Sequence, residues 1–581
     1  MLNTSNDQRK LLPNFDQLFA TTAQAPGGVA RLRELILTLA VQGKLVAQDT
    51  GDEPASELLK KIRAEKDRLI AVGKIKRDKP LAAITEEEKP FELPQGWEWV
   101  RLGGVSKKIT DGTHHSPPNF AKGDFMYLSA KNIKNWGIDL SSVTYVSKSV
   151  HEEIYARCDP EVGDVLYIKD GATTGILAIN NISEEFSLLS SVGLVKPSCG
   201  VISGYMALVM RSPFFYQAMR DGMAGIAITR VTIAKLQVAK MPLPPLAEQS
   251  RIVARVEELM RLCDALEEKG RLEHTQHQQL LQALLDSLTQ TQNAQELARH
   301  WQRLAQHFDL LIDRPEAVDA LEQTILQLAV RGLLVEQDAS DEPASELLKK
   351  IRAEKDRLIA EGKIKKDKPL PEISDDKKPF DLPLGWVWVR VSEICSTVTD
   401  GEHATPERCI DASQVRLVTA KNVRSECMDF AVTDYVPRNV AEQCWRRCKP
   451  EVGDVLMVSV GATTGRLCVL REDVDMVLVR SVTLLRSVQL GVDVSYFALH
   501  LMSTDSQKEI WTSVKQSAQP CLYLAKSAAL KIALPPLAEQ SRIVARVTEL
   551  RTLCQQLRDK LTQARHTQTQ LAQAWVEQAA A

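Results

Sequence analysis

The chain has 581 residues, enough for about four domains of roughly 150 residues each, which excludes a small fold that depends on disulfide bonds or a metal. Its 44% hydrophobic and 25% charged residues are typical of folded globular protein and exclude an intrinsically disordered chain. The formal net charge is -2, so binding to nucleic acid would depend on local basic patches or on partner proteins.

The cysteines and the apolar segments indicate a reducing compartment. The 11 cysteines include no Cys-x-x-Cys pair, which argues against a disulfide framework and a zinc ribbon. The sequence has no apolar stretch of about 18 residues, and its first residues lack the apolar core of a signal peptide. We therefore expect a cytoplasmic protein with reduced, mostly buried thiols.

The first predicted elements are two helices that form a hairpin. Residues 28–47 carry apolar side chains at helical spacing until Gly43. Pro54 suits the first turn of the second helix, which is followed by a basic stretch and an acidic linker. From Leu93 onward, short β-rich runs alternate with Gly, Asp, Asn and Pro, which predicts a mixed α/β domain over residues 93–243.

A long helix is predicted over residues 246–290. Its apolar positions step by four and three residues, the spacing of a coiled-coil seam, and an equivalent seam occurs near the end of the chain. We expect the two seams to pair with each other as an antiparallel coiled coil; packing of each seam on a helical hairpin is the alternative. The seam residues are Ile252, Val256, Leu259, Cys263 and Leu266, and Ile543, Val547, Leu550, Cys554 and Leu557.

The chain is an internal duplication. Residues 52–81 recur as residues 341–370 with two differences, and residues 243–256 recur unchanged as residues 534–547. Between these blocks the copies keep only short landmarks, such as Gly-Trp, Thr-Asp-Gly, Ala-Lys-Asn, Gly-Asp-Val-Leu and Gly-Ala-Thr-Thr-Gly. The pattern predicts two domains of one design that carry different surfaces.

The predicted fold class is α+β, with two similar mixed α/β domains separated by long helices and related by pseudo-two-fold symmetry. The predicted division is 1–92 for the first hairpin and linker, 93–243 for the first mixed domain, 244–381 for the central helix, second hairpin and linker, 382–534 for the second mixed domain, and 535–581 for the last long helix.

The residue patterns of an autonomous enzyme are absent from the sequence. Lys169 and Asp170 complete a nuclease-like carboxylate cluster, but Ser459 and Val460 replace them in the second copy. Gly-Ala-Thr-Thr-Gly lacks the Gly-Lys of a phosphate-binding loop, and the chain has no His-Glu-x-x-His zinc motif. The Asn/Asp-Pro-Pro-aromatic tetrapeptide of a DNA amino-methyltransferase is also missing. We therefore predict no catalytic residue, metal site or cofactor site in this chain.

The order of these segments resembles the specificity subunit of type I restriction-modification enzymes. The resemblance rests on the doubled Leu-Pro-Pro-Leu-Ala-Glu-Gln block at 243–256 and 534–547, each followed by a long helix, and on the landmarks between the blocks. It covers essentially the whole chain, and residues 327–335 suggest the longer branch of the family.

The resemblance implies a non-catalytic subunit that reads double-stranded DNA for partner enzymes. Each mixed domain would be a target recognition domain for one half of a bipartite, asymmetric site, and the long helices would set the gap. Two methyltransferase subunits and the restriction subunits would bind the chain. S-adenosylmethionine, ATP and Mg would bind to these partners and not to this chain.

The candidate DNA-binding residues lie in the shared landmarks and in the divergent segments. The landmarks can position phosphate or a base edge, although a turn role is the alternative for each. Shared residues cannot distinguish two half-sites, so base readers are expected in the divergent segments. The candidates are Lys131, Asn132, Thr173, Thr174, Lys421, Asn422, Thr463 and Thr464 from the landmarks, and Arg230, Arg416 and Arg466 from the divergent segments.

Other landmark residues receive structural roles. Trp97 and its equivalent in the second copy are predicted to lie in the domain core. His114 and His115, aligned with Glu402 and His403, are interpreted as loop residues rather than metal ligands. For the acidic first turn of each long helix, capping of the helix dipole and docking of a partner both remain open.

An interpretation from another class is a two-headed coiled-coil adaptor whose variable domains bind protein or other ligands. Binding to random-sequence DNA with steep salt dependence distinguishes the two, since an adaptor need not show it.

Overall fold

The computed structural model describes residues 15–77, 80–221, 230–291, 294–366, 370–404, 406–488, 490–515 and 519–580. The chain divides into two compact units, Met1–Glu273 with Arg565–Ala581, and His274–Ala564. Each unit combines a helical hairpin, a sheet-rich domain and the first part of one long helix with the last turns of the other long helix. The predicted α+β class and the duplication are confirmed.

The first unit opens with the predicted hairpin. Its helices are α1 (Phe15–Gln24), α2 (Gly28–Val41) and α3 (Ala55–Ala71). Helix α2 ends just before Gly43, as predicted, because this glycine takes a left-handed conformation with φ of 71°, which stops a helix. Pro54 directly precedes α3, as its fixed φ favours.

The first sheet-rich domain lies between α3 and the first long helix. Its strands are β1 (Glu98–Arg101), β2 (Ser106–Asp111), β3 (Phe125–Leu128), β4 (Ile133–Lys134), β5 (Gly137–Ile138), β6 (Thr144–Val146), β7 (Val165–Ile168), β8 (Leu177–Ile179), β9 (Phe186–Leu188), β10 (Val192–Pro197) and β11 (Lys240–Leu243). Its helices are α4 (Lys148–Tyr155), α5 (Ser203–Arg211), α6 (Pro213–Arg220) and α7 (Ile233–Val238), followed by the long helix α8 (Leu246–Thr289).

The strands form one four-stranded sheet and three smaller ones. The four-stranded sheet has the order β2-β10-β7-β8 and is antiparallel throughout. A three-stranded sheet, β6-β3-β9, pairs β3 with β9 in parallel, and β1 pairs with β11 at the junction with α8. Strands β4 and β5 form a short hairpin.

The second unit repeats this plan. Its helices are α9 (Ala294–Gln306), α10 (Phe308–Leu311), α11 (Pro315–Val330), α12 (Ala344–Ala360), α13 (Val391–Ile394), α14 (Arg438–Trp445), α15 (Val494–Met502), α16 (Thr504–Ser513), α17 (Leu524–Ala529) and the long α18 (Leu537–Ala580). Its strands are β12 (Val387–Arg390), β13 (Cys395–Asp400), β14 (Val415–Val418), β15 (Asp434–Val436), β16 (Val455–Val458), β17 (Leu467–Val469), β18 (Met476–Leu478), β19 (Val482–Ser487) and β20 (Lys531–Leu534). The sheet orders β13-β19-β16-β17, β15-β14-β18 and β12-β20 match those of the first unit.

The seams of the long helices pack on the hairpins. In the first unit the seam of α8 shares a core with Leu32 and Ile36 of α2. In the second unit the seam of α18 shares a core with Val318 and Leu321 of α11. These seam residues are Ile252, Val256, Leu259, Cys263 and Leu266 of α8, and Ile543, Val547, Leu550, Cys554 and Leu557 of α18. Within its own unit, each seam is thus covered by the apolar face of a hairpin, which was the alternative. The pairing of the two seams with each other stays a prediction.

The first turn of α8 ties the long helix to the domain and to the hairpin. Trp97 Nε1, from the start of the domain, donates to Glu248 Oε2 at 2.9 Å. Arg251 pairs with Asp52 of the hairpin loop at 2.6 Å. Gln249 is fully buried and bonds only to main-chain groups, at distances from 2.9 to 3.2 Å. We call these five residues the helix-start clamp.

The second unit contains the same clamp. Trp386 Nε1 donates to Glu539 Oε2 at 2.9 Å, and Arg542 pairs with Asp341 at 2.6 Å. Burial raises the pKa of both clamp glutamates, Glu248 and Glu539. These contacts give the first turn an internal structural role, and both tryptophans are core residues as predicted.

One buried histidine distinguishes the second domain from the first. His500 of α15 is 3% exposed, and its Nε2 accepts the main-chain N–H of Ala533 at 2.9 Å. The equivalent positions in the first domain are Val209 and Pro242. The hydroxyl of Tyr205 donates to Pro242 O, as that of Tyr496 donates to Ala533 O, which confirms the alignment. Proline has no N–H, so the first domain needs no acceptor there.

Replacing His500 by Val should leave the Ala533 N–H buried without an acceptor. We expect the free energy of unfolding to fall by about 1–3 kcal/mol, measured by urea denaturation. The double change His500→Val with Ala533→Pro copies the first domain and should recover most of the loss. A double variant as unstable as the single one would contradict this account.

The same histidine should make stability depend on pH. Burial lowers the pKa of His500 from 6.5 to about 3. Between these values the unfolded histidine binds a proton and the folded one does not, so the free energy of unfolding should fall as pH drops below about 6.5. The double variant should show a shallower fall, and an equal slope would refute the assignment.

Candidate nucleic-acid interface

One end of the four-stranded sheet brings two landmarks together. Strands β2 and β7 both run antiparallel to β10, which lies between them, so their C-terminal ends meet at the start of β10. Asp111 ends β2 and Lys169 follows β7, and Lys169 Nζ lies 3.2 Å from Asp111 Oδ2. The Thr-Asp-Gly and Gly-Ala-Thr-Thr-Gly turns are therefore neighbours.

The turn that precedes β10 connects the third landmark. Ala130 N of the Ala-Lys-Asn turn donates to Ser191 Oγ at 3.3 Å. Lys169 N donates to Ser191 O at 3.0 Å, and Ser190 N donates to Thr113 O at 2.8 Å. We call the four turns, residues 111–115, 129–132, 169–175 and 189–191, the first sheet-end site.

The second domain builds the same arrangement. Ser459 N donates to Ser481 O at 2.9 Å, and Arg480 N donates to Glu402 O at 3.0 Å. Residues 400–404, 419–422, 459–465 and 479–481 form the second sheet-end site. Main-chain bonds define both sites, which explains how the side chains between the landmarks can differ.

Each site contains an Asp-Arg-His cluster. In the first, Arg157 Nη2 lies 2.5 Å from Asp111 Oδ1, and His114 Nε2 lies 3.2 Å from the same oxygen. Asp111 is 3% exposed, whereas the side chain of Arg157 is 54% exposed. A buried carboxylate thus holds a guanidinium group at the surface.

The second cluster repeats the first with different neighbours. Arg447 Nη2 lies 2.5 Å from Asp400 Oδ1, and His403 Nε2 lies 2.9 Å from Asp400 Oδ2. His403 is therefore the counterpart of His114. The pairing of His114 and His115 with Glu402 and His403 was wrong by one position, because the register that aligns Thr110 with Thr399 continues through the turn and places His114 opposite His403.

The first site extends the cluster with further charges. Lys169 is buried, and its Nζ also lies 3.6 Å from Asp170 Oδ1. Arg230 Nε lies 3.0 Å from the same oxygen, and the Arg230 side chain is 57% exposed. The equivalents of Lys169 and Asp170 are Ser459 and Val460, so this extension is specific to the first domain.

The two candidate asparagines are turn residues. Asn132 is fully buried, its Oδ1 accepts from Ser129 N at 3.0 Å, and its Nδ2 donates to Asp139 O at 3.0 Å. Asn422 is 1% exposed and makes the equivalent bonds, to Thr419 N and Asp429 O among others. Their amides cannot reach a base edge, so the turn alternative applies.

The threonine pairs divide in the same way. Thr174 Oγ1 donates to Gly171 O at 2.7 Å, and Thr464 Oγ1 donates to Gly461 O at 2.8 Å, which closes each turn. Thr173 and Thr463 are exposed beside them. Only the exposed member of each pair can meet a ligand.

The candidate cations occupy different environments. Lys131 is exposed and has no ion pair in the described part of the chain, while Lys421 Nζ lies 3.7 Å from Asp434 Oδ2. Arg466 Nη2 donates to Ala420 O at 2.8 Å and so supports the neighbouring landmark turn. Arg416 lies on β14 with its guanidinium over the Phe430 ring, 5.0 Å from the centroid.

Sequence reasoning missed three arginines at these sites. Arg157 and Arg447 directly precede the shared Cys-x-Pro-Glu-Val-Gly-Asp-Val-Leu run, so the match between the two copies could have identified them as shared residues. Arg480 is exposed in the turn before β19, where the first domain has Ser190. It lay in a divergent segment, where no pattern separates a reader from other surface arginines.

The described residues contain no group of three or more His, Cys, Asp or Glu side chains able to hold a metal ion. Within the same part of the chain, no helix is both long and apolar enough to cross a membrane.

Comparison with known proteins decides the family. Residues 94–275 match the family model described as the type I restriction modification DNA specificity domain. The chain is 36% identical over 582 residues to the type I restriction enzyme EcoEI specificity subunit of Escherichia coli, covering 95% of this chain and 94% of that one. The chain belongs to the family of type I restriction enzyme specificity subunits. The EcoAI specificity subunit of Escherichia coli is 35% identical over 562 residues, with the same coverage.

The fold was also compared with solved structures. The HsdS subunit from Thermoanaerobacter tengcongensis is 18% identical and covers 84% of this chain and 98% of that chain, with a TM-score of 0.39.

Family membership confirms the interpretation as a specificity subunit. Such subunits are DNA-recognition components and not catalytic ones, and the adaptor alternative finds no support. The partners of the chain are DNA and the other subunits of a type I restriction-modification complex.

Two neighbouring residues provide a test of the site geometry. Asn132→Ala should lower the free energy of unfolding by about 1–3 kcal/mol, because Ser129 N and Asp139 O lose their partner, and should leave the recognised DNA sequence unchanged. Lys131→Ala is the matched control and should change stability by less than about 0.5 kcal/mol. Urea denaturation and mapping of the methylated motif measure both effects; a changed motif in Asn132→Ala would contradict the turn role.

Proposed function

We propose that this specificity subunit reads a bipartite, asymmetric sequence in double-stranded DNA, with one sheet-end site on each half-site. The observation that carries the proposal is the duplication of the sheet-end site, with the same main-chain bonds in both domains and different side chains between them. Contacts to phosphate position a protein on DNA, whereas contacts to base edges specify the sequence. Shared groups suit the first task and divergent groups the second.

Arg230 and Arg480 are our proposed base readers. Both are exposed at a sheet-end site, and neither has an arginine at the equivalent position of the other domain. Arginine donates two parallel hydrogen bonds to guanine in the major groove, which is the commonest specific contact to a base. Arg230 donates to Asp170 through both Nε and Nη2, which limits the orientations of the guanidinium group.

The partner enzymes supply the chemistry in this proposal. Two methyltransferase subunits and the restriction subunits assemble on the chain in the cytoplasm, and they bind S-adenosylmethionine, ATP and Mg. The near-zero net charge of this chain supports such an assembly, since the partners then share the phosphate contacts.

The first test is mapping of DNA methylation across the genome of the source cell with and without this chain. Loss of a single bipartite methylated motif is the expected result, since one chain directs the modification of one site. An unchanged set of motifs, with active methyltransferase partners present, would refute the proposal.

Arg230→Ala should relax the sequence preference in one half of the motif only. Loss of a good bidentate contact reduces discrimination at one base pair by about 1–3 kcal/mol, and Arg480→Ala should act on the other half. The matched control is Arg68→Ala on α3, which removes an equally exposed arginine from the hairpin and should leave the motif intact. A change in both halves from either single variant would contradict one domain per half-site.

A further inference from the structure

The Asp-Arg-His clusters hold a guanidinium group with part of its donors unused. Arg157 is anchored through Nη2 alone, and its Nε and Nη1 have no partner in the described part of the chain. Arg447 donates through Nη2 and Nε, so Nη1 is the nitrogen that has no partner among the described residues. Each arginine is thus fixed in place by a buried carboxylate and presents N–H groups to solvent.

The charges around the first cluster favour an anion. Three cations, Arg157, Lys169 and Arg230, surround two carboxylates, Asp111 and Asp170. The group has a formal charge of one positive even with a neutral histidine. An approaching anion therefore meets a site that is positive and already organised, so little side-chain entropy is lost on binding.

The clusters are also independent of the sequence that each domain reads. Asp, Arg and His occupy equivalent positions in both domains, although Lys169, Asp170 and Arg230 next to the first cluster have no counterpart next to the second. A group that reads a base would have to differ between the halves of an asymmetric site. A group that binds the constant part of DNA would not.

We propose that each Asp-Arg-His cluster binds one phosphodiester of the DNA backbone, Arg157 on one half-site and Arg447 on the other. The arginine donates through Nη1 to a phosphate oxygen, and the aspartate positions the arginine. The proposal rests on the proposed function, since it assigns to the sheet-end sites a second, sequence-independent contact.

The experiment measures the salt dependence of binding to a random-sequence DNA duplex. The protein is the full chain in the complex isolated from its host, with Arg157→Ala, Arg447→Ala and both changes together. Each lost phosphate contact should make the slope of log K against log salt shallower by about 0.9, and the double variant by about 1.8. Arg68→Ala is the control and should keep the wild-type slope.

A second variant separates binding from folding. Arg157→Gln removes the charge but keeps a polar side chain with an apolar stem at this half-exposed position, so it should lower the melting temperature less than Arg157→Ala and still show the shallower slope. A lower melting temperature with an unchanged slope in both Arg157 variants would overturn the proposal and assign the cluster a structural role. Loss of partner subunits from the variant complex, with an unchanged slope, would overturn it in favour of an acidic partner surface.

Phosphate ethylation interference on a duplex with the mapped motif locates the contacts. Arg157→Ala should abolish interference at one phosphate of one half-site, and Arg447→Ala at one phosphate of the other. Interference identical to wild type in both variants would refute the inference. It would leave the proposed function standing, which fails only if the wild-type complex shows no bipartite motif.

Discussion

The buried carboxylate in the first turn of each long helix is the constraint on which each unit depends. Glu248 and Glu539 accept a hydrogen bond from a core tryptophan at the start of the preceding domain, and the following arginine pairs with the hairpin loop. A buried carboxylate without its donor would be costly, so the domain, the hairpin and the helix must adopt one arrangement. The orientation of a recognition surface relative to its helix follows from this contact.

The sheet-end sites separate support from recognition. Main-chain bonds and buried side chains such as Asn132 and Thr174 build the turns, and these do not depend on the exposed residues beside them. Exposed arginines can therefore change while the turns stay in place. The antiparallel order of β2, β10 and β7 matters for this reason, since it delivers two turns from distant parts of the chain to one edge.

Much of this arrangement could be predicted from the sequence, because periodicity and repetition report on helices, strands and copies. The mixed domains and the long helices could be found, whereas the charged strand β2 and the short β9 could not, since β2 has no apolar alternation and three residues are too few to show a period. The packing of each seam on its hairpin could not be predicted, because spacing identifies an apolar face but not every element that covers it. Asn132 could not be separated from a DNA-contacting residue because a sequence does not show whether an amide is buried. Arg157 was missed because its role depends on a carboxylate far away in the chain.

The clamp and the buried histidine differ in what they require of an exchanged domain. In the clamp, Trp386 of the domain donates to Glu539 of the long helix, so this bond crosses the domain border. Asp341 and Arg542 both lie outside the domain, and the same residue types recur in the first unit. His500 and Ala533, in contrast, both lie inside the domain, and this pair has diverged from Val209 and Pro242. Bonds that cross a domain border must be the same for every domain that occupies the position. Bonds within a domain involve residues that are inherited together, so they can differ between domains. A recognition domain can therefore be exchanged between positions, or between related chains, as one unit, because the residues that depend on each other within it move together.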